Sequence, residues 1–281
     1  MISTGTRRNV FLIPSIAVFA VFFVLPLSYF FVISFWRVRL YKLTPDFSFE
    51  NYITFYEEYL YPAVFTFAIA LIIAVLTTLL AFGFAYFIRF RAGRFGPICL
   101  FIALITMFGG YLVKIYAWKT ILGTQGIINT GLLAIGVVEE PIPWLLYNPS
   151  SVVVTLAHFL LPFAILPIYG SLRSISDVEL EAARDLAAKP RHVLFDIVLP
   201  QCQSGILVAF TLTFLISAGD YVTPRLVGGP YTSMIGNFVE TSFVNRLNAP
   251  RGSALAVVIL FTCLTALLLF RYGMRAALRP R

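Results

Sequence analysis

Charged residues are scarce in this sequence. Asp, Glu, Lys and Arg make up 12% of its 281 residues, about half of the roughly 25% that is typical of soluble domains. Hydrophobic residues account for 59%, and the mean hydropathy is +0.88. A chain with so few charges and 28 Phe lacks the polar surface of a soluble domain, a disordered segment or a coiled coil. The composition therefore indicates a membrane protein.

Reactive and metal-binding residues are also sparse. The three cysteines, Cys99, Cys202 and Cys263, have no CxxC spacing, so neither a disulfide framework nor a zinc site is expected. The sequence contains no Gly-Lys-Ser or Gly-Lys-Thr, and it therefore lacks the phosphate-binding loop of many ATPases. No Ser/His/Asp set and no carboxylate pair indicates catalysis. We expect a protein that is not an enzyme, with no catalytic residues, metal ligands or cofactor of its own.

Six stretches are apolar and long enough to cross a membrane, which takes about 20 residues. The first follows Arg7 and Arg8 as a signal peptide would, but it is too long for a cleaved apolar region and is expected to be a retained helix. The sequence thus predicts a polytopic α-helical protein. The six stretches cover residues 10–35, 62–88, 95–116, 152–172, 204–222 and 253–270.

The distribution of charge predicts the orientation. If the amino terminus is cytoplasmic, the inside segments hold 13 of the 21 cations but only 5 of the 13 acids. The positive-inside rule then places both termini in the cytoplasm. The inside cations are Arg7, Arg8, Arg89, Arg91, Arg94, Arg173, Arg184, Lys189, Arg191, Arg271, Arg275, Arg279 and Arg281.

The inside segment between the fourth and fifth stretches, residues 173–200, carries clear helix signals. Ser176 and Glu179 have the spacing of a capping box, in which each side chain satisfies a backbone N–H group at the start of a helix. A short helix is therefore predicted to begin at Asp177. Pro190 should end it, because proline disfavours helical geometry at the residue before it.

A second short helix is predicted over residues 191–198, before Pro200 breaks it. The product is a helix, a turn and a helix on the cytoplasmic side of a membrane protein. By pattern alone this segment is either a hairpin that joins two spans or a structure that a partner protein holds.

The residues of this segment resemble the EAA loop of ABC importer permeases. In that motif Glu-Ala-Ala is followed by a glycine and then by Ile-x-Leu-Pro, and Ala187 here stands where the family has the glycine. The resemblance implies that residues 173–200 form a coupling loop that docks on an ATPase. The predicted docking set is Glu181, Ala182, Ala183, Asp185, Ala187, Ile197, Leu199 and Pro200.

The resemblance extends along most of the chain and is strongest to the spermidine/putrescine-type permeases. It implies an all-α membrane protein with six transmembrane helices in the type I ABC importer permease fold, with residues 1–281 as a single permease domain. Lys114 stands where an arginine is usual in that group. The matching residues are Tyr116, Ala117, Trp118, Leu122, Gly123, Gly126, Asn129, Gly219 to Pro224, Gly228 to Pro230, Met234 to Asn237 and Gly252 to Ala254.

The same resemblance implies the partners and the cargo. It implies a second permease subunit, usually in a heterodimer, two cytoplasmic ATPases that bind ATP and Mg, and a substrate-binding protein outside the bacterial cytoplasmic membrane. The expected cargo is a polyamine. Another small solute, such as an opine or amino-acid derivative, a phosphonate or a sugar, remains an alternative. A secondary carrier is a further alternative. Such carriers are built from internal repeats, and we find no internal repeats in this sequence.

Asp220 is the acidic residue that stands out in the fifth stretch. It lies near the outer end of that span, and a charge within lipid costs about 2.5–3.5 kcal/mol, so it should face water, a cation or the transport pathway. Asp220 could attract a cationic cargo, together with Tyr221 or Glu240. Alternatively, it could cap the turn that follows the helix.

Overall fold

The computed structural model describes residues 13–40 and 42–277. Within them nearly all regular structure is helical, and one short hairpin is the exception. The sequence-based predictions for Arg7, Arg8, Arg279 and Arg281, and for the first residues of the stretch 10–35, lie outside the described residues.

We number the elements in chain order. The first are α1 (Ile13–Ile33), strands β1 (Arg37–Arg39) and β2 (Lys42–Thr44), α2 (Glu50–Phe90), α3 (Gly93–Phe108), α4 (Tyr111–Leu122) and α5 (Ile127–Ala134). They are followed by α6 (Pro149–Arg173), α7 (Asp177–Asp185), α8 (Pro190–Gln201), α9 (Gln203–Gly219), α10 (Pro224–Gly228), α11 (Ile235–Val244) and α12 (Ala249–Ala277).

Among residues 13–40 and 42–277, four helices are each long and apolar enough to cross a membrane: α1, α2, α6 and α12. The number rises to six if each of two bent pairs crosses as one span. The bent pairs are α3 with the segment Tyr111–Ala134, at 100°, and α8 with α9, at 66°. The six-span prediction is thus met only if the bent pairs count as spans.

The third predicted stretch, residues 95–116, is not one continuous helix. Gly109 and Gly110 adopt extended conformations with ψ of 128° and 141°, and the helix axis turns between α3 and α4. Two consecutive glycines favour such a break, because glycine loses more conformational freedom in a helix than any other residue. The second stretch also differs from the prediction, because its helix begins at Glu50 rather than near Pro62.

The described residues form two compact units. Unit 1 contains the residues up to Tyr61 together with Phe238–Phe261, and unit 2 contains Pro62–Asn237 and the residues from Thr262 onward. In unit 1, Asn51 Nδ2 donates to the carbonyl oxygens of Ser34 and Trp36, both at 2.9 Å, and Arg37 pairs with Glu50 at 2.8 Å. These contacts tie the hairpin to the start of α2.

In unit 2, α9 packs closely along α6. A Cβ atom on Gly205 would lie 2.5 Å from both the Pro167 carbonyl oxygen and the Ser171 hydroxyl, so only glycine fits at this contact. The Cys202 Sγ lies 3.8 Å from the Ile168 carbonyl oxygen. The surrounding core contains Ala81, Ala85, Ile165, Leu172, Leu180, Val198 and Ala209. This core reaches from the membrane-crossing helices into α7 and α8.

Candidate functional site

The α7–α8 loop, residues 173–200, is fixed to the rest of unit 2 by polar contacts at two points. Arg89 at the end of α2 donates from Nη2 to Asp177 Oδ1 at 2.6 Å, which anchors the first residue of α7. Gln201 Nε2 donates to Glu179 Oε2, also at 2.6 Å, and so joins the end of α8 to α7. With Leu180 only 4% exposed in the shared core, the loop is held against the body of unit 2.

The predicted helix boundaries in this loop are partly confirmed. α7 begins at Asp177, as the capping-box spacing predicts, and α8 begins at Pro190. The prediction that Pro200 breaks the second helix is wrong, because α8 continues to Gln201 and the bend follows at Cys202. Wider π-helical turns over Val193–Val198 precede the proline. Such turns change the hydrogen-bond register, so a residue without an N–H group can be accommodated.

The members of the predicted docking set fall into three groups by exposure. Glu181, Ala182, Asp185 and Ala187 are exposed, whereas Ala183 is buried. The remaining members, which lie on α8, are half-buried: Ile197, Leu199 and Pro200.

A groove of about 660 Å³ separates α7 from α8, and Ala182, Ala183, Ile197 and Pro200 contribute to its wall. Leu186 also lines the groove and is 85% exposed. Leu186 follows Asp185, the last residue of α7.

Three large apolar side chains on this loop are exposed although the sequence motif does not include them: Val178, Leu186 and Phe195. Exposed apolar side chains that cluster on one surface indicate an interaction site. Acidic residues, Glu181, Asp185 and Asp196, lie on the same loop. The loop thus exposes both apolar and acidic side chains, and the three apolar ones lie outside the sequence motif.

Ala187 adopts the left-handed conformation that normally requires glycine, with φ of +57°. The Ala188 N–H donates to the Ala183 carbonyl oxygen at 3.0 Å, across the end of α7. This six-residue bond and the left-handed residue before it define a Schellman-type helix end. Ala187 therefore keeps the sharp turn that a glycine would give, at a cost of about 1–2 kcal/mol for its Cβ.

Asp220 follows the last residue of α9 and is 8% exposed. Its Oδ1 accepts a hydrogen bond from the Tyr111 hydroxyl at 2.6 Å and another from the Val222 N–H at 3.0 Å. The Tyr111 hydroxyl also lies 2.8 Å from Thr223 Oγ1. A carboxylate that accepts from the N–H group two residues ahead stabilises a turn, so Asp220 joins α4 to the end of α9. Its Oδ2 is buried without a hydrogen-bond partner.

The other residues proposed to act with Asp220 are placed differently. Tyr221 is 43% exposed, and its carbonyl oxygen accepts from Asn237 Nδ2 at 2.7 Å. Glu240 lies on α11 and is half-buried in unit 1, whereas Asp220 belongs to unit 2. Within unit 2, Asp220 accepts from the Tyr111 hydroxyl, which also contacts Thr223.

Lys114 is one turn after Tyr111 on α4 and is 8% exposed. Its ammonium group lies 5.2 Å from the centre of the Phe159 ring and is buried without a hydrogen-bond partner. The Tyr111 ring packs on the same Phe159, with 4.7 Å between ring centres. This region of unit 2 therefore contains an ammonium group, a carboxylate and aromatic rings close together.

Comparison with known proteins identifies the family and the fold. Residues 90–281 match the family described as binding-protein-dependent transport system inner membrane component. The spermidine/putrescine transport system permease protein PotB of Haemophilus influenzae is 33% identical over 201 residues, which cover 72% of this chain and 69% of that protein. The PotB protein of Escherichia coli K12 is 32% identical over 203 residues, covering 72% of this chain and 73% of that protein.

One solved structure has a similar fold to this chain. It is a bacterial ABC transporter involved in the import of the acidic polysaccharide alginate. A chain of it superimposes with a TM-score of 0.72 at 16% sequence identity, over 95% of this chain and 94% of that one.

Substitution Ala187→Gly is expected to stabilise the end of α7 by about 1 kcal/mol, because glycine adopts positive φ without the Cβ clash. Amide hydrogen exchange of residues 181–185 should slow about fivefold where it follows local opening. Ala188→Gly is the matched control. Ala188 does not have a positive φ, so a glycine there only adds chain flexibility. Hydrogen exchange of residues 181–185 should then be unchanged or faster. Equal or faster exchange in Ala187→Gly would contradict the assignment.

Substitutions at Asp220 separate its role as an acceptor from its charge. Asp220→Asn retains an Oδ1 acceptor for Tyr111 and Val222, so its thermal unfolding in detergent should stay close to that of the wild type. Asp220→Ala removes the acceptor and leaves buried donors unpaired, which costs about 1–3 kcal/mol and should lower Tm by several degrees. If the two variants are destabilised equally, the turn depends on the charge rather than on the acceptor.

Proposed function

The chain belongs to the family of binding-protein-dependent transport system inner membrane components, and from this premise we propose that it is the permease subunit of an ATP-driven importer of polyamines. It is a non-catalytic, multi-pass membrane subunit. The proposed cargo is a small polyamine such as spermidine or putrescine. The proposal of a polyamine cargo rests on the 33% identity, over 72% of the chain, to a spermidine/putrescine permease protein.

The chemistry around Asp220 bears on this cargo in two opposing ways. Ammonium groups are bound in proteins by carboxylates and by the faces of aromatic rings, and Asp220 and Tyr111 supply such groups in unit 2. The Phe159 ring, however, is already contacted by the buried ammonium group of Lys114, 5.2 Å from its centre, which repels a second cation. Because Asp220 Oδ1 is already engaged in the turn, we propose that the first role of Asp220 is to hold this region in shape. Direct attraction of cargo by Asp220, Tyr221 or Glu240 is the alternative.

The proposed partners follow from the family and from the loop. The family depends on a binding protein by description. We propose that this protein delivers cargo from outside the bacterial cytoplasmic membrane to a pathway shared with a second permease subunit. Two ATPases would bind ATP and Mg on the cytoplasmic side, where we also place both termini of this chain.

The α7–α8 loop is the proposed contact with one ATPase, and residues 173–200 would act as the coupling segment of a single permease domain. The exposed part of the docking set and Leu186 would enter a cleft on the ATPase. Ion pairs at a wet rim contribute only about 0–1 kcal/mol each, whereas burying a leucine contributes about 1.5–3 kcal/mol. Apolar docking should therefore dominate the binding energy, and Glu181 and Asp185 should set orientation.

The anchoring of the loop explains how a pull on it would move the spans. Arg89 connects α7 to α2, and Gln201 connects it to the end of α8. Only three residues separate Arg173 at the end of α6 from Asp177 at the start of α7. Short and doubly anchored connections transmit displacement with little slack, so movement of the ATPase would be passed to α2, α6 and α9.

Charge reversal and truncation on the loop test the docking proposal. We expect Glu181→Lys and Leu186→Ala each to reduce the amount of ATPase that co-purifies with this chain, and to reduce uptake in cells. Glu140→Lys is the matched control, because Glu140 is exposed and lies outside the loop. Normal co-purification and uptake in both loop variants would refute the docking surface.

The cargo is tested with the purified complete complex in lipid. ATPase activity is measured with the binding protein empty, and then loaded with spermidine or putrescine. We expect stimulation by the polyamine-loaded form only. Stimulation by a binding protein loaded with another solute, such as an amino-acid derivative, a phosphonate or a sugar, would support the importer but contradict a polyamine cargo. Absence of any ATPase in the purified complex would reject the coupled importer itself.

A further inference from the structure

Two buried side chains of opposite charge in unit 2 each carry an atom that the transport proposal does not use. Lys114 on α4 and Asp220 after α9 are both 8% exposed. The Lys114 ammonium group and Asp220 Oδ2 are buried, and neither has a hydrogen-bond partner in the part of the chain that the structure describes. Lys114 also forms no ion pair within residues 13–40 and 42–277.

An unpaired charge in the interior of a membrane protein is costly, so such groups generally pair with one another. The face of the Phe159 ring, whose centre is 5.2 Å from the Lys114 ammonium group, offsets part of this cost. The Asp220 carboxylate is partly stabilised by the two hydrogen bonds that its Oδ1 accepts. The ammonium group still has its N–H donors unused and Oδ2 still has its lone pairs unused, so each group is the partner that the other lacks.

Tyr111 brings the two groups into one neighbourhood. Tyr111 and Lys114 are three residues apart on α4, so they lie on one face of the helix with Cβ atoms about 5–6 Å apart. The Tyr111 hydroxyl donates to Asp220 Oδ1 at 2.6 Å. The Tyr111 ring packs on the Phe159 ring that also contacts the Lys114 ammonium group. The lysine is therefore one helical turn from the residue that contacts the carboxylate.

The Lys114 side chain runs toward the start of α4. A Cβ atom on Gly109 would lie 3.4 Å from Lys114 Cε, so the side chain extends back over the turn that contains Tyr111. Long side chains on helices commonly lean this way. Lysine carries a compact charge on a flexible stem, so its ammonium group can change position by rotation of side-chain bonds while the backbone of α4 stays in place.

We propose that Lys114 is a movable counter-ion of Asp220. In a second arrangement of unit 2, its ammonium group leaves the Phe159 ring and forms an ion pair with Asp220 Oδ2. Oδ1 keeps its bonds to Tyr111 and Val222, so the turn after α9 is unchanged. Both buried atoms then have a partner.

The two positions of Lys114 have opposite effects on what a second cation meets. With Lys114 on the ring, Asp220 Oδ2 is the open group, and with Lys114 on the carboxylate, the face of Phe159 is the open group. Lys114 therefore selects which of these two groups is available to a cation. This consequence rests on the proposed cationic cargo, whereas the ion pair itself does not.

The test is zero-length cross-linking of the full-length chain in membrane vesicles with dicyclohexylcarbodiimide, which activates buried carboxyl groups. An activated carboxyl group forms an amide with an amine that is in contact with it. We expect mass spectrometry of the digested chain to find an amide between Lys114 and Asp220, and none between Lys119 and Asp220. Lys119 is the internal control, because it lies on the same helix but contacts the Tyr147 ring instead.

Variants test the pair by uptake of radiolabelled putrescine. Lys114→Met and Asp220→Asn should each lower uptake about tenfold, as expected for loss of one charge-assisted contact. The double variant should lose no more than either single variant, whereas independent roles would multiply to a loss of about a hundredfold. Lys114→Arg keeps the charge but forms no stable amide, so it should retain uptake and lose the cross-link.

An acylurea adduct on Asp220 without the amide to Lys114 would overturn the ion pair, because the reagent would then have reached a carboxylate with no amine in contact. Equal amide formation with Lys119 would overturn it as well. If Asp220 does not react at all, the uptake of the double variant decides, and a multiplied loss overturns the pair. Absence of putrescine uptake by the wild type would reject the cargo and leave the cross-link as the test.

Discussion

Backbone hydrogen bonding at the helix breaks is the constraint on which the structure of unit 2 depends. A break in an apolar segment frees N–H and C=O groups that hydrocarbon cannot satisfy, so side chains must bond to them. Asp220 accepts from the Val222 N–H after α9, and Thr66 Oγ1 accepts from the Ile235 N–H at 2.8 Å before α11. Asn237 bonds to both the Tyr221 carbonyl oxygen and the Met234 N–H. These side chains satisfy backbone groups of the irregular region between α9 and α11 and so stabilise it.

The same polar set explains why several features of the sequence lie together. The Gly-Asp-Tyr-Val-Thr-Pro run that resembles spermidine/putrescine permeases contains the helix end, the turn residue Asp220 and Thr223, which contacts Tyr111. A Cβ on Gly236 would lie 3.0 Å from the Asp220 carbonyl oxygen, which is a tight contact, so glycine favours the close approach of the start of α11 to this turn. This motif looks functional in the sequence, but much of it satisfies backbone hydrogen bonds and packing where α9 ends.

Sequence patterns predicted the features that depend on local rules. α7 starts at Asp177, where the Ser176/Glu179 spacing predicts it, although the Glu179 carboxylate accepts a hydrogen bond from Gln201. The long span α6, Pro149–Arg173, encloses the apolar stretch predicted at residues 152–172. The break at Gly109 and the continuation of α8 through Pro200 were missed, because both depend on how neighbouring turns close their hydrogen bonds.

For the candidate site, the motif located the loop but not its contacts. Ala187 is informative here, because an alanine in place of glycine suggests that the sharp turn is lost, yet its φ of +57° shows that the turn is kept. The energy of the Schellman-type bond and the packing of Leu180 outweigh a local strain of about 1–2 kcal/mol. The spacing of residues in the sequence does not predict which of these energies is larger, because the residues that contribute them lie on α2, α7 and α8.

The basic residues at the ends of the helices differ in their contacts, which a count of charges does not show. Arg37 and Arg89 are held by acidic partners, Glu50 in unit 1 and Asp177 in unit 2, and so fix loops to helix ends. Arg173 has the same position at the end of a span but no acidic partner in the described chain. The positive-inside rule counts Arg89 and Arg173 alike, yet Arg89 also ties α7 to α2, whereas Arg173 is an exposed cation at the end of α6.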